Sequence, residues 1–133
     1  MIVVDSSVWV DYFNGVSTPA SDRLDQLLEI EPLAVGDLIL TEVLQGFRLD
    51  RNYHTAKKLL ASLTVVDMVG QEIAVKAADN FRSLRKRGIT VRKTVDMIIA
   101  TSCIEKRLNL LYSERDFEPC REHLGLLSAL DDA

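Results

Sequence analysis

Ile2-Val3-Val4-Asp5-Ser6-Ser7-Val8-Trp9-Val10-Asp11 sets three consecutive apolar, β-branched residues before an acid and a polar pair, then resumes with a second apolar run. A short continuous apolar run lacks the alternation of a half-exposed strand and reads as one buried on both faces, as in a parallel sheet. Serine ahead of Val8-Trp9-Val10-Asp11-Tyr12-Phe13 reads as a helix N-cap, and Asn14-Gly15 as its stop. Asp5 then closes the strand and opens the connection.

The same alternation continues downstream. Leu24, Leu27, Leu28 and Ile30 predict a helix over about 20–30, and Leu33-Ala34-Val35 a strand ending at Gly36-Asp37. Further helices are expected over about 38–49 and 53–63, with a strand at Thr64-Val65-Val66-Asp67. The longest helix should run from Gln71 to about Arg87, closed by Gly88, followed by a very apolar helix from Val95 to about Arg107. Asn109-Leu110-Leu111-Tyr112 predicts the next strand, and the tail after Phe117 a short helix with a final strand or extended arm. Strands alternating with helices give an α/β fold, a mostly parallel central sheet covered on both faces. Ligands in such sheets sit at the carboxyl ends of the strands, near the switch in strand order.

Length and composition bound the function. One domain over 1–133 suits the 133 residues, and a chain of this size buries roughly 68% of its unfolded surface, enough to fold without staples. No apolar stretch reaches the roughly 18 residues of a membrane span, and the N-terminus lacks a signal-peptide pattern, so a cytoplasmic location is expected. Two cysteines, Cys103 and Cys120, have no CxxC pairing; both are expected as free thiols, Cys103 as core packing. Net charge of −4 excludes broad charge-driven adhesion to nucleic acid but leaves room for a local basic face. Arg82, Arg85, Lys86, Arg87, Arg92 and Lys93 fall in an acid-free stretch that is either a solvated helix end or a phosphate-contacting strip.

The informative residues are acids in apolar company. Asp5 ends the first strand, and Glu114 and Asp116 follow the Leu110-Leu111-Tyr112 strand, so two strand ends deliver carboxylates to one edge. Asp96 is the only charge from Thr94 to Ile104. It is either an N-terminal capping acid or a functional one, and Thr94, already a competent cap, weakens the first reading. Glu42, beside the Leu40-Val43-Leu44-Phe47 face, is either solvated or turned to the same edge. Asp11, Asp22, Asp25, Asp37, Asp67 and Asp79 read as surface or capping acids.

Converging carboxylates repel unless a hard divalent cation joins them, and an all-oxygen donor set selects Mg²⁺ or Mn²⁺. Such ions activate water and stabilise the leaving oxygen in phosphodiester cleavage. His54 and His123 lack a ligand partner four residues on, and Ser6 and Ser7 lack a histidine partner or nucleophile elbow. The serines are expected to cap the helix or to orient metal-bound water. Trp9, Tyr12 and Phe13 read as core or interface anchors.

Together these segments resemble the PIN-domain family, specifically the VapC-type toxins of prokaryotic toxin–antitoxin pairs. The matching stretches are Ile2 to Asp11, Glu42 in its helix, Arg92-Lys93-Thr94-Val95-Asp96-Met97-Ile98-Ile99-Ala100, and Leu110-Leu111-Tyr112-Ser113-Glu114-Arg115-Asp116-Phe117. The resemblance implies a three-layer α/β/α sandwich and a Mg²⁺- or Mn²⁺-dependent endoribonuclease. It implies Asp5, Glu42 and Asp96 as the central acidic triad, with Glu114 and Asp116 as the late pair. That pair usually reads Asp-x-Asp-Phe, so Glu114 is a departure whose longer side chain reaches a metal directly or through water. Arg85, Arg87 and Arg92 are the expected RNA-binding cations. The resemblance also implies a homodimer, inhibition by a VapB-type antitoxin that alone contacts operator DNA, and structured RNA such as transfer RNA as substrate.

Two other functions fit parts of the sequence. A PIN-type fold retained only for binding RNA or a partner would keep the acids but leave RNA intact. A receiver-like signalling domain would need a phosphoacceptor Asp ending a middle strand, which Asp67 imitates, and a late-strand Lys that Tyr112-Ser113-Glu114 does not provide.

Overall fold

The structure is a computed structural model, and it describes residues 1–130. The last three positions of the expected domain lie outside the described residues. Five strands pair in parallel: β1 (Ile2–Val4), β2 (Leu33–Gly36), β3 (Thr64–Val66), β4 (Asn109–Leu111) and β5 (Leu127–Ser128), in the order β3-β2-β1-β4-β5. β1 is central, with Val3 opposite Ala34 on one side and Leu110 on the other. Its three residues are all buried, as a strand covered on both faces requires.

Seven helices cover the sheet. The first group comprises α1 (Ser6–Phe13), α2 (Pro19–Ile30), α3 (Asp37–Leu44) and α4 (Asp50–Ala61), where α1 packs on α2 and α3, and α3 on α4. The second comprises α5 (Gln71–Lys86), α6 (Thr94–Lys106) and α7 (Glu118–Leu124), where α5 packs on α6 and α7. The result is the expected α/β/α sandwich. Trp9 is buried and stacks on Phe13 at 5.7 Å, and Phe13 meets Phe47 edge-on at 5.7 Å, tying α1 to the segment after α3. These aromatics are core anchors, as the sequence predicts. No helix among the described residues is long and apolar enough to cross a membrane.

Several boundaries differ from the sequence expectation, each for a local reason. The first helix begins at Ser6, because Asp5 and not a serine is its N-cap: the Asp5 side chain accepts from the Ser7 N–H. α3 stops at Leu44 instead of near 49, where the Gln45 N–H closes the last turn on Thr41 and Gly46 follows. Thr94 is the first residue of α6 and Lys93 its cap, with no side-chain cap bond; Thr94 therefore does not do the capping its sequence position offered. Cys103 and Cys120 are both buried free thiols, and burial pushes the Cys103 thiol up to about 12, which keeps it protonated and inert.

The close approach of β2 to Met68 is a sharp packing constraint. A Cβ built on Gly36 would lie 2.1 Å from the Met68 sulfur, and Met68 is fully buried. Met68 is also held by its own N–H, which donates to Asp37 Oδ1 at 3.1 Å. Gly36→Ala should therefore cost about 1–3 kcal/mol by overpacking. In a Met68→Ala background the same change should cost measurably less in urea unfolding; equal costs in both backgrounds would show that Met68 is not the obstacle.

Candidate metal centre

β1 and β4 are neighbours, yet β2 lies on the other side of β1, so the strand order reverses between them. This is the point where a parallel sheet opens a crevice at its carboxyl edge. Asp5 stands there because its N–H donates to the Leu111 carbonyl at 2.9 Å, extending the β1–β4 ladder by one bond. Glu114 follows β4 and precedes a 3₁₀ turn (Arg115–Phe117) that carries Asp116. The buried Phe117 side chain anchors that turn against Tyr112, ring centroids 5.3 Å apart. α6 brings Asp96, buried in its first turn, where free N–H groups favour an anion.

These acids form one charged neighbourhood. Asp96, Glu114 and Asp116 each offer a carboxylate oxygen within 4.8 Å of the others. Asp5 and Glu42 stand outside that tight set, but both charges bear on Asp96. Burial, followed by repulsion from Asp5 and Glu114, pushes the Asp96 carboxyl up to about 7. Asp5 is pushed up to about 6, chiefly by burial, against the opposing hydrogen bonds of Ser7.

Hydrogen bonding sorts the oxygens. Ser7 Oγ donates to Asp5 Oδ2 at 2.7 Å, and Ser6 Oγ donates to Glu42 Oε1 at 3.1 Å. The two serines therefore do more than start a helix: each steers one acid. Asp5 Oδ1 and Asp96 Oδ2 are buried with no hydrogen-bond partner among the described residues. A buried acceptor left unpaired is unfavourable, and two such oxygens amid like charge fit a hard divalent cation. The donor set contains only oxygen, which suits a hard cation such as Mg²⁺ or Mn²⁺ better than the nitrogen- and sulfur-rich sites zinc prefers.

The remaining sequence candidates fall in different places. Arg85 and Arg87 are exposed at the end of α5, with the Arg85 guanidinium 5.5 Å from the centroid of the Phe81 ring. Arg92 reaches the acidic cluster itself, its Nε 3.6 Å from Asp116 Oδ2. Sequence reading missed that pair and the Ser6–Glu42 link, whose partners are 24 and 36 positions apart; only the fold brings them together. Asp67 follows β3, an edge strand, so it is not the middle-strand acid a receiver-like domain requires. His123 lies 3.8 Å from Glu122 on α7, and neither histidine joins the acidic cluster.

Comparison with known proteins gives consistent results. A family model described as PIN domain matches residues 2–120. The VapC ribonuclease Mb1587 of Mycobacterium bovis is 33% identical over 124 residues, covering 89% of this chain and 90% of that protein. Among solved structures, VapBC2 from Rickettsia felis, bound to a DNA fragment from its promoter, superposes with a TM-score of 0.72 at 17% identity, covering 96% of this chain and 97% of that chain. Mycobacterium tuberculosis VapC20, a sarcin-ricin loop cleaving toxin, has a TM-score of 0.67 at 19% identity, covering 89% and 93%.

The raised carboxyls make metal-free stability pH-dependent. Both groups have folded pKa values, about 6 and about 7, above their ordinary 3.8, so the folded state holds more protons than the unfolded one between those limits. Their contribution must therefore fall as pH rises from about 4 to about 7, and level off above. With a chelator present, Asp96→Asn should remove much of that slope and raise Tm at pH 8 by about 2–5 °C. An Asp96→Asn protein that is less stable than the parent at pH 8 would contradict the crowding of charge described here.

Proposed function

The chain belongs to the PIN-domain family, and we propose that it is a divalent-metal-dependent endoribonuclease toxin acting as one domain over residues 1–133. One observation carries the reading: at the sheet's switch point Asp5 and Asp96 each keep a buried carboxylate oxygen without a partner among the described residues, and Asp96 converges with Glu114 and Asp116. The relative at 33% identity is named a ribonuclease, which supports RNA as the substrate class.

Asp5, Glu42, Asp96, Glu114 and Asp116 are the proposed catalytic and metal-holding residues. Asp96, Glu114 and Asp116 would hold the ion through the oxygens within 4.8 Å of one another, and Asp5 through its free Oδ1. Mg²⁺ or Mn²⁺, if held by these residues, would supply an activated water and offset charge on the phosphate. Ser7 holds the second oxygen of Asp5, leaving the first for the ion. Ser6 orients Glu42, which at this reach is suited to accept a proton from water or to complete the metal site. Glu114 adds a longer arm that suits a second ion or a water-mediated contact. Arg85, Arg87 and Arg92 are proposed to contact the RNA backbone.

The protein is further proposed to be cytoplasmic, to dimerise, and to be held inactive by a VapB-type antitoxin, which would carry the DNA-binding function. The solved VapBC complexes of this fold support that arrangement. A cavity of about 500 Å³ lined by Phe13, Gly46, Phe47 and Leu49 lies where α1 meets the end of α3, the elements adjoining Asp5 and carrying Glu42. With Asn14, Arg48, Asn52 and Thr55 also in its wall, it offers a seat of mixed polar and apolar character for an antitoxin segment.

Incubating the purified protein with total RNA and defined transfer RNAs, with Mg²⁺ or Mn²⁺, tests the reading. Discrete, chelator-sensitive cuts are expected, reduced at least about 100-fold by Asp5→Asn or Asp96→Asn. Either variant cleaving like the parent at matched metal would refute the assigned site. Intact RNA from folded, metal-loaded protein across ribosomal and transfer RNAs would favour a binding-only role. Joint Arg85→Ala and Arg87→Ala substitution should flatten the slope of log affinity for RNA against log salt by about 1–2, whereas an unchanged slope would make them solvated helix-end cations.

A further inference from the structure

Val91-Arg92-Lys93 leads directly into α6, so the segment that positions Asp96 also carries Arg92 to the rim of the acidic cluster. Arg92 Nε lies 3.6 Å from Asp116 Oδ2, with the Arg92 side chain 83% exposed and Asp116 only 21%. The contact is loose. It runs through one nitrogen, beyond good hydrogen-bond distance, and lacks the two-pronged geometry that makes arginine–carboxylate pairs firm. The same Asp116 belongs to the set whose oxygens converge within 4.8 Å. Two cations therefore have a claim on one carboxylate: a guanidinium supplied by the chain and an ion supplied by solution.

The surroundings sharpen this competition. Arg92, Lys93 and Arg115 share the wall of a cavity of about 510 Å³ with Glu114 and Asp116. Positive and negative walls thus face one space. Asp96 Oδ2 and Asp5 Oδ1, by contrast, have no hydrogen-bond partner among the described residues. Lys93 tempers the charge on Asp96, and Asp116 is the acid of the set that Arg92 meets directly, at 3.6 Å.

We propose that Arg92 is a built-in competitor of the divalent cation for Asp116, a positioning residue that sets how much metal the site needs before it fills. The inference rests on the reading given under Proposed function. With Asp116 taken by the ion, the guanidinium is left facing the same cavity, where an RNA phosphate is the matching anion. The pair thus links filling of the metal site to exposure of a phosphate-binding cation, both on residues within one cavity wall.

Titration calorimetry with Mn²⁺ tests this without RNA or turnover, using the parent, Arg92→Gln, Asp116→Asn and the double variant, each checked for folding by circular dichroism. Arg92 is exposed, so its substitution leaves the core untouched. Arg92→Gln should bind Mn²⁺ about 3-fold tighter or more, because a nearby positive charge no longer opposes the ion. In the Asp116→Asn background the same substitution should change affinity less than about 2-fold, since the contested carboxylate is gone. An unchanged affinity in Arg92→Gln, or an equal gain in both backgrounds, overturns the proposal, the latter by showing only a general field effect. A parent protein that binds no Mn²⁺ at the cluster would instead overturn the metal reading beneath it.

Discussion

The parallel pairing of β1 with β4 is the contact on which the site depends. Three residues on each strand are in register, Ile2 to Asn109, Val3 to Leu110 and Val4 to Leu111, and the Asp5 N–H adds a bond to the Leu111 carbonyl. That ladder sets Asp5 level with the chain leaving β4, and so with Glu114 and Asp116. A slip of one residue would turn every side chain of β1 to the other face and carry Asp5 away from its partners. Both strands are short and almost wholly buried, so burial enforces the register that the site needs.

α6 contributes the opposite element, a helix buried over most of its length with one acid in its first turn. An apolar helix can be driven into the sandwich by burial alone, and it takes Asp96 with it. The unfavourable part is electrostatic: burial and the neighbouring carboxylates hold Asp96 and Asp5 partly towards their neutral forms. Without an ion the arrangement is a concentration of like charge at an edge; under the proposed reading an ion would turn it into a set of ligands. The proposed function and stability would then oppose each other at the same few atoms, as is common where a site must be ready for a cation. The serines, by donating to Asp5 and Glu42, restrict the orientation of each acid.

Much of this was legible in the residues. Ile2-Val3-Val4 and Leu110-Leu111 are apolar enough to identify buried strands, and Asp96 is conspicuous because nothing else from Thr94 to Ile104 is charged. What could not be read was local competition for hydrogen bonds. Asp5, Ser6 and Ser7 can each cap a helix, and only the geometry shows Asp5 doing so while both serine side chains serve acids. Thr94 looked like a cap but entered the helix, since Lys93 already occupied the boundary. α3 ended five residues early because apolar periodicity continues through Phe47 and Leu49 after the backbone has turned. The pair of Arg92 with Asp116 joins two separate segments, and no periodicity within either one encodes it.

Under the proposed reading these acids form one cation site at the carboxyl edge between β1 and β4. Crystals grown with Mn²⁺ and measured for anomalous scattering address it most directly. A peak is expected at about 2.1–2.2 Å from carboxylate oxygens of Asp96 and at least one of Asp5, Glu114 and Asp116. A map with no peak at that edge at saturating Mn²⁺, or with the ion bound elsewhere and Asp96 uncoordinated, would contradict it.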